Sequence, residues 1–187
     1  MTEIIPWSLL ESSYAVQSPY YRLRVDTVGL PDGTVEREYY VREARGWVTV
    51  FCLTTEGDVV LNRQYKHGAQ QIVLELPAGT VDDNGETPEE AVRRELEEET
   101  GYVADQFEQI GHAYADPTSS TAEVWIFFAK DARLGGIRKD DPREVIEVLL
   151  LRPEEVLEKL RAGEIQSAGQ IGALYLALDR IGLLTKE

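Results

Sequence analysis

One helix with well-defined ends constrains this chain more than any other segment. Thr87-Pro88-Glu89-Glu90 matches a capping box, in which the Thr87 hydroxyl accepts from the Glu90 amide and the Glu90 side chain reaches back. Pro88 suits the first helical position, where an N–H is not needed. Gly101 favours the left-handed conformation that ends many helices. The sequence therefore predicts a helix between Thr87 and Gly101.

This helix carries a row of glutamates on one side. A helix turns by about 100° per residue, so Glu95 and Glu99 lie one above the other and Glu98 flanks them. Like charges at this spacing repel each other, and a bound cation would turn that repulsion into binding. Oxygen ligands select a hard ion such as Mg²⁺ or Mn²⁺. The spacing alone leaves two interpretations open, a metal site and a solvated acidic face.

The composition narrows the class of partner. The chain has 187 residues, 34 acidic and 19 basic, and a net charge of −15. This charge argues against nucleic acid or an anionic membrane as a partner, but a metal ion would still allow a nucleotide substrate. The single cysteine, Cys52, allows no intramolecular disulfide and fits a reducing compartment, the cytoplasm. No apolar run is long enough to span a bilayer, and the N-terminus lacks the pattern of a signal peptide.

The remaining patterns predict a mixture of strands and helices. Residues 1–18 show no regular pattern, whereas residues 20–28 and 35–41 alternate around a turn and predict a β-hairpin. Charges on both faces of this hairpin leave two roles open, contact with a partner subunit and a solvated surface. Further strands are predicted at 47–54, 59–65, 71–76, 109–113, 123–129 and 144–151, a polar loop at 131–143, and helices at 153–161 and 167–181, the last apolar all round. Strands mixed with helices predict an α/β layer architecture.

The helix and its loop resemble the signature of the Nudix hydrolases. From Glu86 the chain continues with seven residues and then Arg-Glu-apolar-x-Glu-Glu-x-Gly-apolar, which ends at Tyr102. Six residues separate Gly79 from Glu86, one more than in the family pattern. The resemblance implies an α/β/α sandwich with a mixed β-sheet for residues 46–187. It also implies that residues 1–45 are an antiparallel β-hairpin extension through which the protein forms a homodimer.

The flanking segments resemble the ADP-ribose pyrophosphatase branch of this family. The strand end at 62–68 and the entry Glu75-Leu76-Pro77-Ala78-Gly79 are similar to those of the branch, and the acidic segment at 140–148 resembles the one that supplies a late carboxylate. The implied activity is Mg²⁺-dependent hydrolysis of ADP-ribose to AMP and ribose 5-phosphate, with Mn²⁺ as an alternative ion. Three other functions stay open: hydrolysis of another nucleotide sugar such as GDP-mannose, a catalytically silent nucleotide-binding module, and a purely structural acidic protein.

The resemblance also implies which residues hold the metal. Glu95, Glu98 and Glu99 are expected to bind it together with the backbone carbonyl of Ala78. Arg94 is expected to orient these carboxylates through ion pairs, and we count Arg94 and Glu98 among the catalytic residues. In contrast, Glu97 is expected to point away into solvent.

The general base is expected near the strand at 144–151. The resemblance favours Glu144, with Glu147 and Asp141 as alternatives. The competing interpretation is that Glu144 starts a strand at the protein surface, since acidic loop residues are usually solvated.

Four residues are expected to contact substrate. Arg63 and Lys66 are candidates to bind the phosphates, unless they form salt bridges at a strand edge. Pro117 stands where the branch typically carries a proline in its substrate loop. Glu123 is expected to contact the ribose or a water molecule, or else to be an exposed strand residue.

Overall fold

The computed structural model describes residues 3–139 and 143–184, which form two compact units. The smaller unit contains the described residues up to Arg45 together with Tyr114–Glu123. It is built on an antiparallel sheet in the order β1-β2-β3, with β1 at Ser8–Gln17, β2 at Arg22–Gly29 and β3 at Val35–Glu43.

The predicted hairpin is confirmed as β2 and β3, and residues 1–18, whose weak pattern predicted no element, contain a further strand, β1. Strand β1 pairs with β2 from Ser8 opposite Gly29 to Gln17 opposite Arg22. All ten residues of β1 are exposed, so no buried face imposes an alternation of polar and apolar residues. The strand is defined by its backbone pairing with β2, which the order of polar and apolar side chains in β1 does not reveal.

The larger unit contains Gly46–Ala113 and the described chain from Val124 onward. Its elements are β4 (Trp47–Thr54), β5 (Val59–Lys66), β6 (Gln71–Glu75), β7 (Ala78–Thr80), α1 (Pro88–Thr100), β8 (Tyr102–Val103), β9 (Phe107–Tyr114), β10 (Glu123–Leu134), β11 (Ile146–Leu151), α2 (Pro153–Arg161) and α3 (Ala168–Arg180). The strands follow the order β11-β5-β4-β10-β8, with β6 beside β5, β7 beside β4 and β9 beside β10. Because β10 runs parallel to β4 while β5, β6, β7, β8 and β11 pair antiparallel, the sheet is mixed.

Both faces of this sheet are buried. Along β4, Val48 and Val50 pack in one core with Leu96 of α1, whereas Phe51 packs in a second core with Leu174 of α3. Successive strand residues point to opposite faces, so a strand between two helical layers is apolar at nearly every position. The predicted α/β/α sandwich with a mixed sheet is confirmed. None of the helices in the described ranges is long and apolar enough to cross a membrane.

Some predicted boundaries differ from the structure. Strand β10 continues to Leu134, so the predicted loop at 131–143 begins too early; a register shift between Ala129 and Ala132 lets the strand continue past Asp131, whose φ is 57°. Helix α3 is buried on one face only, because Tyr175 and Leu176 are 43% and 44% exposed. Residues 140–142 lie outside the described ranges.

Helix α1 begins after Thr87 and ends at Gly101, as the sequence predicts. The Thr87 hydroxyl accepts from the Glu90 N–H at 3.3 Å, and the Glu90 carboxylate accepts from the Thr87 N–H at 2.8 Å. Gly101 ends the helix at a φ of 73°. Ala91, Val92 and Leu96 are buried against the sheet, which brings the glutamates of α1 to β7.

Candidate functional site

Arg94 holds the carboxylates of α1 and the preceding loop together. Its Nε and Nη2 donate to the two carboxylate oxygens of Glu86 at 2.8 and 2.9 Å, and its Nη1 donates to Glu95 at 2.7 Å. Nη2 also donates to the Thr80 carbonyl at 3.0 Å, and Nη1 lies 3.5 Å from the Glu98 carboxylate. This hydrogen bonding lowers the pKa of Glu86, which stays ionised as the anchor of the loop. Arg94 therefore forms ion pairs with three glutamates, and its role in catalysis stays a prediction.

Glu95 occupies a space that only glycine leaves open. A Cβ atom added to Gly79 would lie 2.0 Å from the Glu95 carboxyl carbon, so the carboxylate sits directly over the backbone of β7. Burial raises the pKa of Glu95 although Arg94 lowers it, and the charges of Glu98 and Glu144 raise it further. The site therefore concentrates negative charge where water is partly excluded.

Glu99 is the most deeply buried carboxylate of the helix and is 8% exposed. Its Oε2 accepts from the Asn62 side-chain amide at 2.8 Å and from the Ala78 N–H at 3.0 Å. Burial raises the pKa of Glu99 to about 8; the Ala78 hydrogen bond opposes this shift, and the charge of Glu95 adds to it. A cation beside Glu99 would oppose this shift, because its charge stabilises the carboxylate.

Glu98 faces the loop that follows β10. Lys139 forms an ion pair with the Glu98 carboxylate and donates its backbone N–H to the Glu98 carbonyl at 2.9 Å. The neighbouring helix residue, Glu97, contacts the same loop, and its carboxylate accepts the Ile137 N–H at 3.1 Å. The expectation that Glu97 points into solvent is wrong, because its carboxylate holds the loop.

Glu144 lies close to the carboxylates of α1. Its charge raises the pKa of both Glu95 and Glu99, although Glu144 itself is exposed. Its role as a base stays a prediction. Of the two alternatives, Glu147 forms an ion pair with Arg63 at 2.6 Å, and Asp141 lies outside the described residues.

The two predicted phosphate-binding residues lie on β5 and form salt bridges. Arg63 pairs with Glu147, and Lys66 pairs with Glu75 at 3.4 Å. The charge of Lys66 also lowers the pKa of Glu99, so this ammonium group acts on the carboxylate cluster. Both cations are about half exposed and remain accessible to an anion.

Pro117 and Glu123 belong to the smaller unit. The segment around Pro117 joins β3, because the Arg42 N–H donates to Ser119 at 2.7 Å and the Thr121 N–H donates to Arg42 at 3.0 Å. Glu123 begins β10 and is partly buried. Their contact with substrate stays a prediction.

In their present orientations, the acidic, histidine and cysteine side chains of the described ranges form no group of three that could hold a metal ion. In this arrangement Glu95 pairs with Arg94, and Glu98 pairs with Lys139. The donor set nevertheless fits a divalent cation, since it consists of oxygens, lies in a partly buried space beside Gly79 and carries excess negative charge. Whether Glu98 binds a cation stays a prediction.

The sequence patterns predicted no role for two residues of this site, Asn62 and Lys139. Asn62 lies on the α1-facing side of β5, two residues after the buried Val60, and a polar amide at a position where the strand is otherwise apolar is a signal that the sequence contains. Lys139 gives no such signal, because only the folded loop brings it to Glu98.

Comparison with known proteins identifies the family. The family model described as NUDIX domain matches residues 44–169, and the model described as nucleoside diphosphate sugar hydrolase N-terminal domain matches residues 7–41. An ADP-ribose pyrophosphatase from Bacillus subtilis is 33% identical over 158 residues, covering 83% of this chain and 84% of that protein. A GDP-mannose pyrophosphatase from Pectobacterium atrosepticum is 32% identical over 156 residues, covering 77% of each chain.

A solved structure agrees with this assignment at the level of the fold. The crystal structure of an ADP compounds hydrolase matches with a TM-score of 0.85 at 20% identity, covering 98% of this chain and 100% of that one. The chain belongs to the Nudix hydrolase family. Nudix hydrolases generally use a divalent metal ion, which the acidic face of α1 fits.

The space above Gly79 yields the first prediction. Gly79→Ala places a Cβ where the Glu95 carboxylate lies, and we expect the flexible side chain to move while the fold is retained. Mn²⁺ affinity, measured by isothermal titration calorimetry, should fall about tenfold or more, as for other changes beside metal ligands. Gly172→Ala is the matched control, since a Cβ there meets nothing within 4 Å. Equal Mn²⁺ affinity in Gly79→Ala and wild type would contradict the prediction.

The burial of Glu99 yields a pH prediction for the metal-free protein. Its pKa is about 8 in the folded state against a usual value of 4.5, so the folded state retains a proton that the unfolded state releases. Stability in EDTA should therefore decrease as the pH rises from about 4.5 to about 8. Glu99→Gln should flatten this decrease and Glu97→Gln should keep it, as followed by the thermal midpoint. Parallel slopes in wild type and Glu99→Gln would refute this explanation.

Proposed function

We propose that this protein hydrolyses the diphosphate bond of ADP-ribose to AMP and ribose 5-phosphate, with Mg²⁺ as the metal ion and Mn²⁺ as a substitute. The observation that carries the proposal is the acidic face of α1, where Glu95 and Glu99 lie against Ala78–Gly79. The relative named ADP-ribose pyrophosphatase supports this substrate. A cytoplasmic location belongs to the same proposal and rests on the single buried cysteine, Cys52.

The residues of α1 and β7 would hold the cation. Glu95, Glu98 and Glu99 would contribute carboxylate oxygens, and Ala78 would contribute its carbonyl. When bound, the cation supplies positive charge that neutralises the diphosphate. Arg94 keeps the carboxylates in position through its fixed contacts with Glu86 and Glu95.

The other residues would act on the substrate and on the attacking water. Arg63 and Lys66 would exchange their glutamate partners for phosphate oxygens, since both cations are accessible. Glu144 would accept a proton from the water as its oxygen bonds to phosphorus and the bond between the bridging oxygen and that phosphorus breaks. The charge that Glu144 exerts on Glu95 and Glu99 supports its position near this reaction.

GDP-mannose is the second candidate substrate. The relative named GDP-mannose pyrophosphatase supports it, at nearly the same identity as the ADP-ribose pyrophosphatase. Both substrates contain a diphosphate between two sugars, so a cation held by the acidic face of α1 would neutralise either diphosphate in the same way. Recognition of the base would decide between them.

The test is an assay of purified protein with a panel of nucleotide sugars and Mg²⁺. Wild type should release AMP from ADP-ribose faster than it releases GMP from GDP-mannose. Glu144→Gln should lower kcat by about 10²–10⁴-fold, the usual contribution of a general base. Glu99→Gln should also abolish most turnover, because it removes a charged ligand.

Glu97→Gln is the matched control for the helix, since the amide oxygen can still accept the Ile137 N–H. Glu147→Gln is the control for the base. Faster release of GMP would favour the second substrate. Binding of nucleotide without any turnover by wild type would support a catalytically silent module and overturn the proposal.

We further propose that two copies of the chain associate through the β1–β3 sheet. Strand β1 is the edge of this sheet, and an exposed edge readily pairs with another chain. The sheet and the segment before it expose many large apolar side chains, namely Trp7, Leu9, Leu10, Tyr14, Val16, Val35 and Tyr40. Exposed large apolar side chains in such number on one small unit are typical of a protein that binds a partner.

The oligomeric state tests this association. Wild type should elute with twice the chain mass in light scattering, and Leu10→Glu should shift it towards the monomer because a charge would be buried in the interface. Leu134→Glu is the control, since Leu134 is also an exposed leucine, at 70% against 57% for Leu10, and lies outside the smaller unit. A monomeric wild type would rule out the dimer.

A further inference from the structure

Asn62 breaks the pattern of its strand. On the side of β5 that faces α1, Val60 packs in the same core as Leu96. Asn62 is the next residue on that side and is 1% exposed. Residues that violate the local pattern of a core strand concentrate at functional sites, because elsewhere an apolar residue serves better.

The side-chain amide of Asn62 donates its hydrogen bond to one carboxylate oxygen of Glu99. Its Nδ2 donates to Oε2 of Glu99 at 2.8 Å, and the Ala78 N–H donates to the same oxygen at 3.0 Å. Two donors from two different strands therefore fix the orientation of the Glu99 carboxyl group. Oε2 is occupied by these bonds, which leaves Oε1 as the oxygen for a cation.

The carbonyl oxygen of the Asn62 side chain indicates that this residue does not serve to stabilise the fold. Within residues 3–139 and 143–184, Oδ1 of Asn62 is buried and has no hydrogen-bond partner. A buried acceptor without a partner destabilises the folded state. A leucine of the same shape would avoid this cost, so the amide is explained by what its Nδ2 group does to Glu99.

The burial of Glu99 shows what such a donor does. Glu99 is 8% exposed, and its Oε2 accepts from both the side-chain amide of Asn62 and the backbone N–H of Ala78. Hydrogen-bond partners of this kind orient the group that binds a metal ion. A neutral amide does so without adding a positive charge that would compete with the cation.

We propose that Asn62 is a positioning residue for Glu99, holding Oε2 so that Oε1 is directed to the divalent cation. This inference rests on the proposed function in one respect, the assignment of Glu99 as a metal ligand. Asn62 itself touches neither the cation nor the substrate. Its effect is therefore expected in metal affinity before any other property.

The test is Asn62→Leu, with Mn²⁺ alone as the probe. Calorimetry should show Mn²⁺ binding weakened about 10- to 100-fold, the usual effect of removing a partner of a metal ligand. The thermal midpoint in EDTA should stay the same or rise, because the unpaired acceptor is removed. A merely structural role predicts the reverse, a lower midpoint with unchanged Mn²⁺ affinity. If Asn62→Leu fails to fold, Asn62→Ala carries the same test of affinity.

Thr54→Val is the matched control, another buried polar residue replaced by an apolar residue of the same shape. Thr54 ends β4, and its hydroxyl accepts from the N–H groups of Glu56 and Asp58 in the following turn. We expect it to lower the thermal midpoint and leave Mn²⁺ affinity unchanged. Equal Mn²⁺ affinity in wild type and Asn62→Leu would overturn the inference alone. Failure of wild type to bind Mn²⁺ would overturn the metal site of the proposed function and this inference together.

Discussion

The site depends on the ion pairs that Arg94 makes with Glu86 and Glu95. Helix α1 places several carboxylates on one side, and their mutual repulsion opposes the helix that carries them. Arg94 offsets part of this repulsion and ties the loop before α1 to the helix through two bonds to Glu86. The planar guanidinium group donates in several fixed directions at once, which a lysine at this position would not reproduce. The cluster therefore keeps its arrangement although its negative charges repel one another.

The mixed sheet supplies the other half of the site. Strands β4 and β5 send alternate side chains to two cores, so α1 packs on one face and α2 and α3 pack on the other. Strand β7 is short and brings Ala78 and Gly79 to the buried side of α1. The absence of a side chain at Gly79 matters here, because the Glu95 carboxylate fills that space. The helix and the sheet thus have complementary shapes at the point where the charge is concentrated.

Much of the fold follows from local patterns. The capping box, Gly101 and the spacing of the glutamates involve residues within one helix, and the structure agrees with each. Strand β1 was missed because all of its residues are exposed, so its partner strand alone defines it. Glu97 was misjudged because the loop that its carboxylate holds lies 40 residues away in the chain. Patterns within a few residues cannot report on contacts of that kind.

The sequence by itself determined where α1 begins and ends, which glutamates share its face and which family the chain belongs to. These features depend on the helical repeat and on residue order, and both are local. Only the tertiary structure decided which partner each carboxylate has. Glu99 meets Asn62 and Ala78 across 37 and 21 residues, and Glu98 meets Lys139 across 41. Such pairs depend on the register of the sheet and the path of the loops, which the packing of the whole unit determines.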